Sequence, residues 1–148
     1  MDARAGIADG LKVVEIGSSV SVALAGMTLA DAGADVVALE PPGGSPLRRE
    51  RAFAMWARGK QSEVVDLASA AGRARLDAWL SEADVLLLGL KAGSLERLAL
   101  IPETLAADHP RLVVACLTGF GRRGPFRDVP AWDGVVQARG GRMFEFST

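Results

Sequence analysis

The chain has 148 residues, of which 49% are hydrophobic, and this is enough for one domain with its own core. Seventeen Lys and Arg residues against eighteen Asp and Glu residues give a net charge of −1, which argues against a general nucleic-acid-binding protein. No apolar run approaches the roughly 20 residues of a membrane-spanning helix, and the N-terminus lacks the apolar core of a secretion signal. We therefore expect a cytoplasmic protein with neither a nucleic-acid nor a membrane partner.

Five short apolar segments have the composition of buried strands, and segments that favour helices alternate with them. This alternation predicts an α/β fold, a Rossmann-like and mostly parallel sheet with helices on both faces. Gly33 is expected to close the first helix in a left-handed conformation. The predicted strands are 12–16, 35–39, 63–67, 85–88 and 112–117. The predicted helices are 20–31, a segment capped by Ser69 and running to Leu80, short helices around Leu95 and from Pro102, and a closing segment capped by Asp133.

Three loops follow predicted strands and should meet at the carboxyl edge of the sheet. They are residues 17–19, 40–51 and 118–133, and the last two each contain three arginines and several glycines. A guanidinium group can pair with two oxygens while glycine lets backbone N–H groups approach, so these loops suit a phosphate-rich ligand. An equally weighted alternative is that the arginines are solvated and offset by Glu50 and Asp128. The arginines are Arg48, Arg49, Arg51, Arg122, Arg123 and Arg127.

Two acidic residues are candidates for a functional role. Glu40 ends the second predicted strand, where a dinucleotide-binding fold has its ribose-binding acid. The glycine fingerprint of that fold is absent after the first strand, so a nicotinamide enzyme is disfavoured and Glu40 could instead hold the following loop. Asp133 follows Trp132, and an acid beside an aromatic ring in a cleft would be desolvated and its pKa raised. The alternative for Asp133 is a plain helix cap.

The sequence offers no pattern for a metal site or for a nucleophilic triad. His109 is the only histidine, and neither a second histidine nor a cysteine lies near it at ligand spacing. Cys116 lies within an apolar predicted strand and is expected to be a buried hydrophobic residue in a reducing compartment. We therefore expect neither a bound metal nor Cys-His or Ser-His-Asp catalysis.

A series of short motifs covers nearly the whole chain in a specific order and spacing. The motifs are Gly10-Leu-Lys-Val-Val-Glu15, Leu29-Ala-Asp-Ala-Gly-Ala-Asp-Val-Val-Ala-Leu-Glu40, Pro41-Pro-Gly-Gly-Ser-Pro-Leu-Arg48, Arg58-Gly-Lys60, Gly93-Ser-Leu-Glu-Arg-Leu98, Thr118-Gly-Phe-Gly121 and Trp132-Asp-Gly-Val-Val-Gln-Ala138. Each motif is weak alone, but the series is specific. It resembles the class III CoA-transferase family, which is the carnitine dehydratase-like group and also contains the α-methylacyl-CoA racemases.

The resemblance implies that residues 1–148 are the N-terminal, CoA-binding portion of a Rossmann-like domain, incomplete relative to the full family domain. Family members form interlocked dimers in which C-terminal sequence completes this domain, so a homodimer or a complementary chain is the expected partner. Acyl-CoA is the implied substrate. In the transferases an aspartate becomes acylated as a mixed anhydride and CoA passes between carboxylic acids. That aspartate belongs to a segment beyond Thr148.

The resemblance also assigns roles to individual residues. Arg97 resembles the arginine near the CoA phosphates, and the Glu40–Pro41 turn resembles the edge of the adenine pocket. Arg48 belongs to the arginine-rich loop after this turn and is a further candidate for CoA binding. Asp133 corresponds to a second active-site acid.

The chain departs from the family pattern at several positions, and these departures leave alternatives open. Residues 21–23 are Ser-Val-Ala in place of Ala-Gly-Pro, Val20 replaces a polar residue, and Ala57 and Gly89 replace asparagines. Such changes fit a non-catalytic remnant that serves as a dimerisation or scaffold module. A racemase is a further alternative, but there a histidine precedes the acid at position 133, and here it is Trp132. A nucleotide-binding domain for another ligand is disfavoured by the missing glycine fingerprint.

Overall fold

The computed structural model describes residues 6–144 and contains one five-stranded sheet in the order β3-β2-β1-β4-β5, with every neighbouring pair parallel. The strands are β1 (Lys12–Gly17), β2 (Asp35–Glu40), β3 (Lys60–Val64), β4 (Val85–Gly89) and β5 (Val113–Cys116). The helices are α1 (Val20–Asp31), α2 (Phe53–Trp56), α3 (Ala70–Glu82), α4 (Ala92–Arg97), α5 (Pro102–Asp108) and α6 (Asp133–Arg139), with short 3-10 helices at Pro46–Arg49 and Arg142–Phe144. The predicted parallel α/β fold is confirmed.

Helices cover both faces of the sheet, as predicted. Successive side chains of a strand point to opposite faces, so Val13 of β1 packs in a cluster with Val22 of α1. Val14, the next residue, packs in a second and larger cluster with Leu76 and Leu80 of α3. Each face of the sheet therefore has its own apolar core, and the central strands β1, β2 and β4 are largely buried on both sides.

The prediction for the third strand is wrong in position. The strand β3 begins three residues before the predicted 63–67 segment, overlaps it only at Glu63 and Val64, and starts with polar residues. Because β3 lies at the edge of the sheet, Gln61 and Ser62 are exposed and its side chains do not show the apolar run of a buried strand. Val65, which follows β3, is buried and its N–H donates to the Glu40 carbonyl oxygen (2.8 Å), so the apolar signal lies beyond the strand itself.

The helix ends confirm two predicted caps and correct a third. The Ser69 hydroxyl accepts from the Gly72 N–H (3.0 Å) at the start of α3, and Gly33 follows α1 with a φ of +104°. Asp133, however, is the first residue of α6 rather than its cap, and Trp132 is the N-cap residue without a side-chain hydrogen bond. The Asp133 carboxylate accepts from Gln137 Nε2 (2.7 Å) within the same helix.

Candidate functional site

The three loops expected to form a site all follow carboxyl ends of strands, and parallel pairing places those ends at one edge of the sheet. The strand order nevertheless separates the two arginine-rich loops. Between the ends of β2 and β5 there are three inter-strand spacings of ~4.8 Å, or about 14 Å. The two arginine-rich loops, which were expected to meet at this edge, therefore lie on either side of the β1–β4 pair.

In each of the two arginine-rich loops, at least one arginine forms an ion pair with a carboxylate. Arg48 donates from Nε and Nη2 to the two oxygens of Glu40, at 2.7 Å each. Arg122 makes a similar two-point contact with Glu103 (3.0 and 2.6 Å), and this holds the pKa of Glu103 at about 2. Arg127 pairs with Asp128 at 3.2 Å. The alternative in which carboxylates offset these arginines is supported at Asp128, but Glu40 and Glu103 are the other partners, and no ion pair among residues 6–144 includes Glu50.

The end of β1 is packed tightly against the end of β4, where the order of the strands reverses. Gly17 pairs with Gly89, and a Cβ added at Gly89 would lie 2.6 Å from Val22 Cβ and 2.9 Å from Ser19 Oγ. Val22 is fully buried. Two of the departures from the family pattern therefore fit each other, because the valine at position 22 occupies the space beside the glycine at position 89.

A cavity of about 210 Å³ lies beside this point, on the face of the sheet that α1 covers. It is partly open to solvent, and its lining comes from the strands β1, β2 and β3, from α1 and α2, and from the loop 41–51. Side chains that line it include Glu15, Glu40, Arg48, Phe53, Trp56 and Lys60. The sequence analysis placed Glu40 and Arg48 in one loop region. It did not predict the other lining residues, which are the aromatic pair Phe53 and Trp56 and the buried charged pair Glu15 and Lys60.

Glu40 ties the loop 41–51 to the sheet. Its side chain is 6% exposed, and Oε2 accepts from the Ser45 N–H and from Arg48 Nε, both at 2.7 Å. The Arg48 guanidinium also lies over the Phe53 ring, 5.0 Å from its centroid, and it lowers the pKa of Glu40. This supports the interpretation that Glu40 holds the loop. Contact of Glu40, Pro41 or Arg48 with CoA stays a prediction.

A buried ion pair between Glu15 and Lys60 forms the floor of the cavity. Their side chains are 7% and 4% exposed, and Lys60 Nζ donates to Glu15 Oε2 (2.7 Å) and to the Ala23 carbonyl oxygen (2.8 Å). Burial raises the pKa of Glu15, and the hydrogen bond from Lys60 opposes this effect. A Cβ at Gly26 would lie only 1.9 Å from Glu15 Oε2, so an alanine there would force the Glu15 carboxylate, and with it the ion pair, to move.

Sequence reasoning missed this ion pair, although two signals were present. Glu15 is a charged residue inside the apolar strand Val13-Val-Glu-Ile16, and Gly26 interrupts an otherwise favourable helix. A charge in a buried strand requires a partner, and a glycine within a helix often marks a close approach. Neither signal identifies Lys60, which is 45 residues away from Glu15 along the chain.

Arg97 and Asp133 both lie on the surface. Arg97 ends α4, and its Nη2 donates to Ser94 Oγ (3.3 Å). Asp133 is exposed, and the neighbouring Trp132 has 72% of its surface exposed. The desolvated environment predicted for Asp133 is therefore not found. The roles of Arg97 in CoA binding and of Asp133 in catalysis stay predictions.

Within the described residues 6–144, no group of three His, Cys, Asp or Glu side chains is arranged to hold a metal ion. Cys116 carries a half-buried free thiol whose pKa is raised by burial, so it is mainly protonated at neutral pH. In the same part of the chain, no helix has the length and apolarity needed to cross a membrane.

Known proteins resemble this chain over nearly all of its length. The family described as CoA-transferase family III matches residues 8–146. A cinnamoyl-CoA:phenyllactate CoA-transferase of Clostridium sporogenes is 33% identical over 155 aligned positions, which cover 95% of this chain and 38% of that protein. An α-methylacyl-CoA racemase of Mus musculus is 39% identical over 124 positions, which cover 84% of this chain and 31% of the racemase.

A solved structure shows the same likeness in three dimensions. The crystal structure of a hypothetical protein from Mycobacterium tuberculosis superposes with a TM-score of 0.84 at 34% identity, covering 93% of this chain and 40% of that one. The chain thus spans between 31% and 40% of the length of these relatives. With a match over residues 8–146 and these relatives, the chain belongs to CoA-transferase family III.

Proposed function

We propose that this chain is the CoA-binding, N-terminal portion of an acyl-CoA transferase that moves CoA between carboxylic acids. Membership of the family and the names of transferase relatives support this proposal. The observation that carries it is the carboxyl edge of the parallel sheet, where a cavity lies below the loop that Glu40 and Arg48 hold in place. Such an edge is where open α/β sheets bind nucleotide ligands.

The residues of this edge would bind CoA by contacts with phosphate and with backbone groups. Arg97 is exposed, and within residues 6–144 one of its N–H groups has a side-chain acceptor, Ser94, which leaves its other donors for phosphate oxygens. Gly43 and Gly44 have φ angles of +89° and +85°, and a Cβ at Gly43 would meet no atom within 4 Å. This turn therefore offers open backbone to a nucleotide that lies against Pro41.

The chemical step requires a carboxylate that can attack the substrate, whereas the two carboxylates that line the cavity, Glu15 and Glu40, are paired with Lys60 and Arg48. In our proposal an aspartate from further sequence, or from a partner such as a second copy, attacks the acyl thioester. The acyl group is then held as a mixed anhydride while the CoA thiolate leaves. Asp133 would act as a second acid once such a partner covers it.

A non-catalytic role as a dimerisation or scaffold module is the second candidate. It is favoured by the apolar surface around α6, where Trp132 is 72%, Met143 51% and Val136 41% exposed. Exposed apolar groups of this size are typical of interaction sites. This candidate predicts self-association of the chain without CoA binding.

Isothermal titration of CoA against the purified chain tests the proposal. We expect binding, and we expect Arg97→Ala to weaken it by about tenfold because a charge-assisted contact is lost. Arg111→Ala is the matched control, since Arg111 is also exposed but precedes β5 at the opposite edge of the sheet. Absence of heat at millimolar CoA, with self-association in sedimentation experiments, would instead support the scaffold.

The racemase alternative has a separate test. A racemase exchanges the α-proton of a branched acyl-CoA for solvent deuterium, and Asp133→Asn should abolish this exchange if Asp133 transfers the proton. CoA transfer between acids without such exchange would support the transferase.

A further inference from the structure

The cavity beneath α1 combines an apolar wall with a charged floor. Phe53, Trp56 and Leu47 line it on the side of α2 and the loop, whereas Glu15 and Lys60 line it on the side of the sheet. Its volume of about 210 Å³ exceeds that of a protein cavity of roughly 150 Å³ that takes up benzene. A phenyl ring or a branched chain with a short polar end is therefore of suitable size.

Two of the three N–H groups of the Lys60 ammonium have acceptors among residues 6–144, and the third can donate to a ligand in this cavity. A lysine ammonium group carries three N–H bonds. Within residues 6–144, two acceptors are found for Nζ, a Glu15 oxygen and the Ala23 carbonyl oxygen. One N–H thus remains for a ligand. Because the side chain is only 4% exposed, a hydrogen bond formed there would be shielded from water.

The charges of the cavity favour a neutral ligand. Two carboxylates, Glu15 and Glu40, are each paired with a cation, Lys60 and Arg48. A carboxylate ligand would add a negative charge beside two carboxylates whose cations are already paired, which is unfavourable. A carbonyl oxygen accepts the same hydrogen bond without that charge.

We propose that this cavity is a subsite for a neutral carbonyl compound with a small apolar body, whose carbonyl oxygen accepts a hydrogen bond from Lys60 Nζ. The subsite then distinguishes an acyl group in its thioester form from the corresponding free acid. That last step rests on the proposed function, whereas binding of a neutral carbonyl compound to the cavity does not. Lys60 is the residue that determines this preference, and Glu15 positions it.

Two small probes of nearly equal shape test the subsite. 4-Phenyl-2-butanone is a neutral ketone, and 3-phenylpropionate carries a charged oxygen where the ketone has a methyl group. Each is titrated into the purified chain at neutral pH while the three tryptophan indole N–H signals are followed by NMR. We expect the ketone to shift the signal of Trp56, which lines the cavity, and the acid to bind at least tenfold more weakly. Trp132, at the surface of α6, serves as an internal control.

Variants locate the site and the donor. Ala57→Phe should fill the cavity and abolish the Trp56 shift, whereas Ala106→Phe, at an exposed position of α5, should not. The double variant Glu15→Met with Lys60→Met replaces the ion pair by apolar side chains of similar length. In this variant we expect about tenfold weaker ketone binding and loss of the preference over the acid. A thermal melt establishes that it is folded.

Three outcomes would overturn the proposal. They are no shift of Trp56 with millimolar ketone, equal or tighter binding of the acid, and binding that Ala57→Phe leaves unchanged. The CoA titration is independent of this experiment. A chain that binds CoA but not the ketone contradicts only the subsite, and a chain that binds the ketone but not CoA contradicts only the proposed function.

Discussion

The helices α1 and α6 show how differently two parts of this chain are stabilised. Both follow a loop, and both contain valines near their N-termini. The first is capped by Ser19 and buries Val22, Ala23 and Gly26 against the sheet. The second has no side-chain cap hydrogen bond and buries no residue. Since most of the stability of protein helices comes from packing, the described residues 6–144 stabilise α6 far less than α1.

The strongest test of this contrast removes the buried cation below α1. Lys60→Met leaves the Glu15 carboxylate without its partner at 7% exposure. We expect the free energy of unfolding to fall by about 3–5 kcal/mol in urea denaturation, the range measured when one member of a buried pair is removed. Lys12→Met is the matched control, because Lys12 and Glu82 form a pair with side chains 50% and 68% exposed.

The control should change stability far less, because solvent screens an exposed pair. Removal of both charges, with Glu15→Met added to Lys60→Met, should recover most of the loss. If Lys60→Met and Lys12→Met have equal effects, then the Glu15–Lys60 pair is hydrated in solution and the account of the cavity floor is wrong.

A second comparison uses apolar side chains. Leu76 of α3 is fully buried in the larger core cluster, and Leu76→Ala should lower the free energy of unfolding by about 2–5 kcal/mol. Val136 of α6 is 41% exposed, so Val136→Ala should change it by less than about 0.5 kcal/mol. A large loss for Val136→Ala would show that a second copy of the chain covers α6, and the loss would then depend on protein concentration.

The fold was predictable because its signals are local. Each of β1, β2, β4 and β5 contains a run of apolar residues, and parallel strands buried on two faces have this composition. The strand β3 was misplaced because an edge strand with polar side chains lacks that run. Ser69 and Gly33 were assigned correctly because caps depend on residues within one turn of the helix end.

The candidate site was less accessible to sequence reasoning, because it depends on contacts between distant segments. Glu40 and Arg48 are eight residues apart in one loop region, and the structure brings them together. Glu15 and Lys60 meet only because β1 and β3 lie on either side of β2 and α1 covers both. No local pattern distinguishes Lys60 from a solvated lysine before that topology is known.

A smaller effect is expected from the glycine that makes room for the ion pair. Alanine favours a helix over glycine by about 1 kcal/mol. At Gly26, however, an added Cβ would lie 1.9 Å from Glu15 Oε2, so Gly26→Ala should destabilise the protein by about 1–3 kcal/mol. Gly93→Ala in α4 is the control, because a Cβ there meets no atom within 4 Å. It should leave stability unchanged or raise it, and a gain for both variants would contradict the close packing of α1.

The smallest effect concerns pH and is confined to the loop over the cavity. Hydrogen bonds from Arg48 lower the pKa of Glu40 below the 4.5 of an ordinary glutamate. A carboxylate with a lowered pKa contributes stability that is present above its unfolded pKa and is lost as the pH falls through the lower, folded value. The loop should therefore stay closed from neutral pH to about pH 5 and open only in stronger acid. The Ser45 amide signal reports this by NMR, because it donates to Glu40 Oε2, and in Glu40→Gln it should no longer titrate.

The pKa of Glu15 shifts in the opposite direction from that of Glu40, since burial raises it. Acid should thus protonate Glu15 before Glu40, and the reverse order would contradict the different environments of these two carboxylates in one cavity.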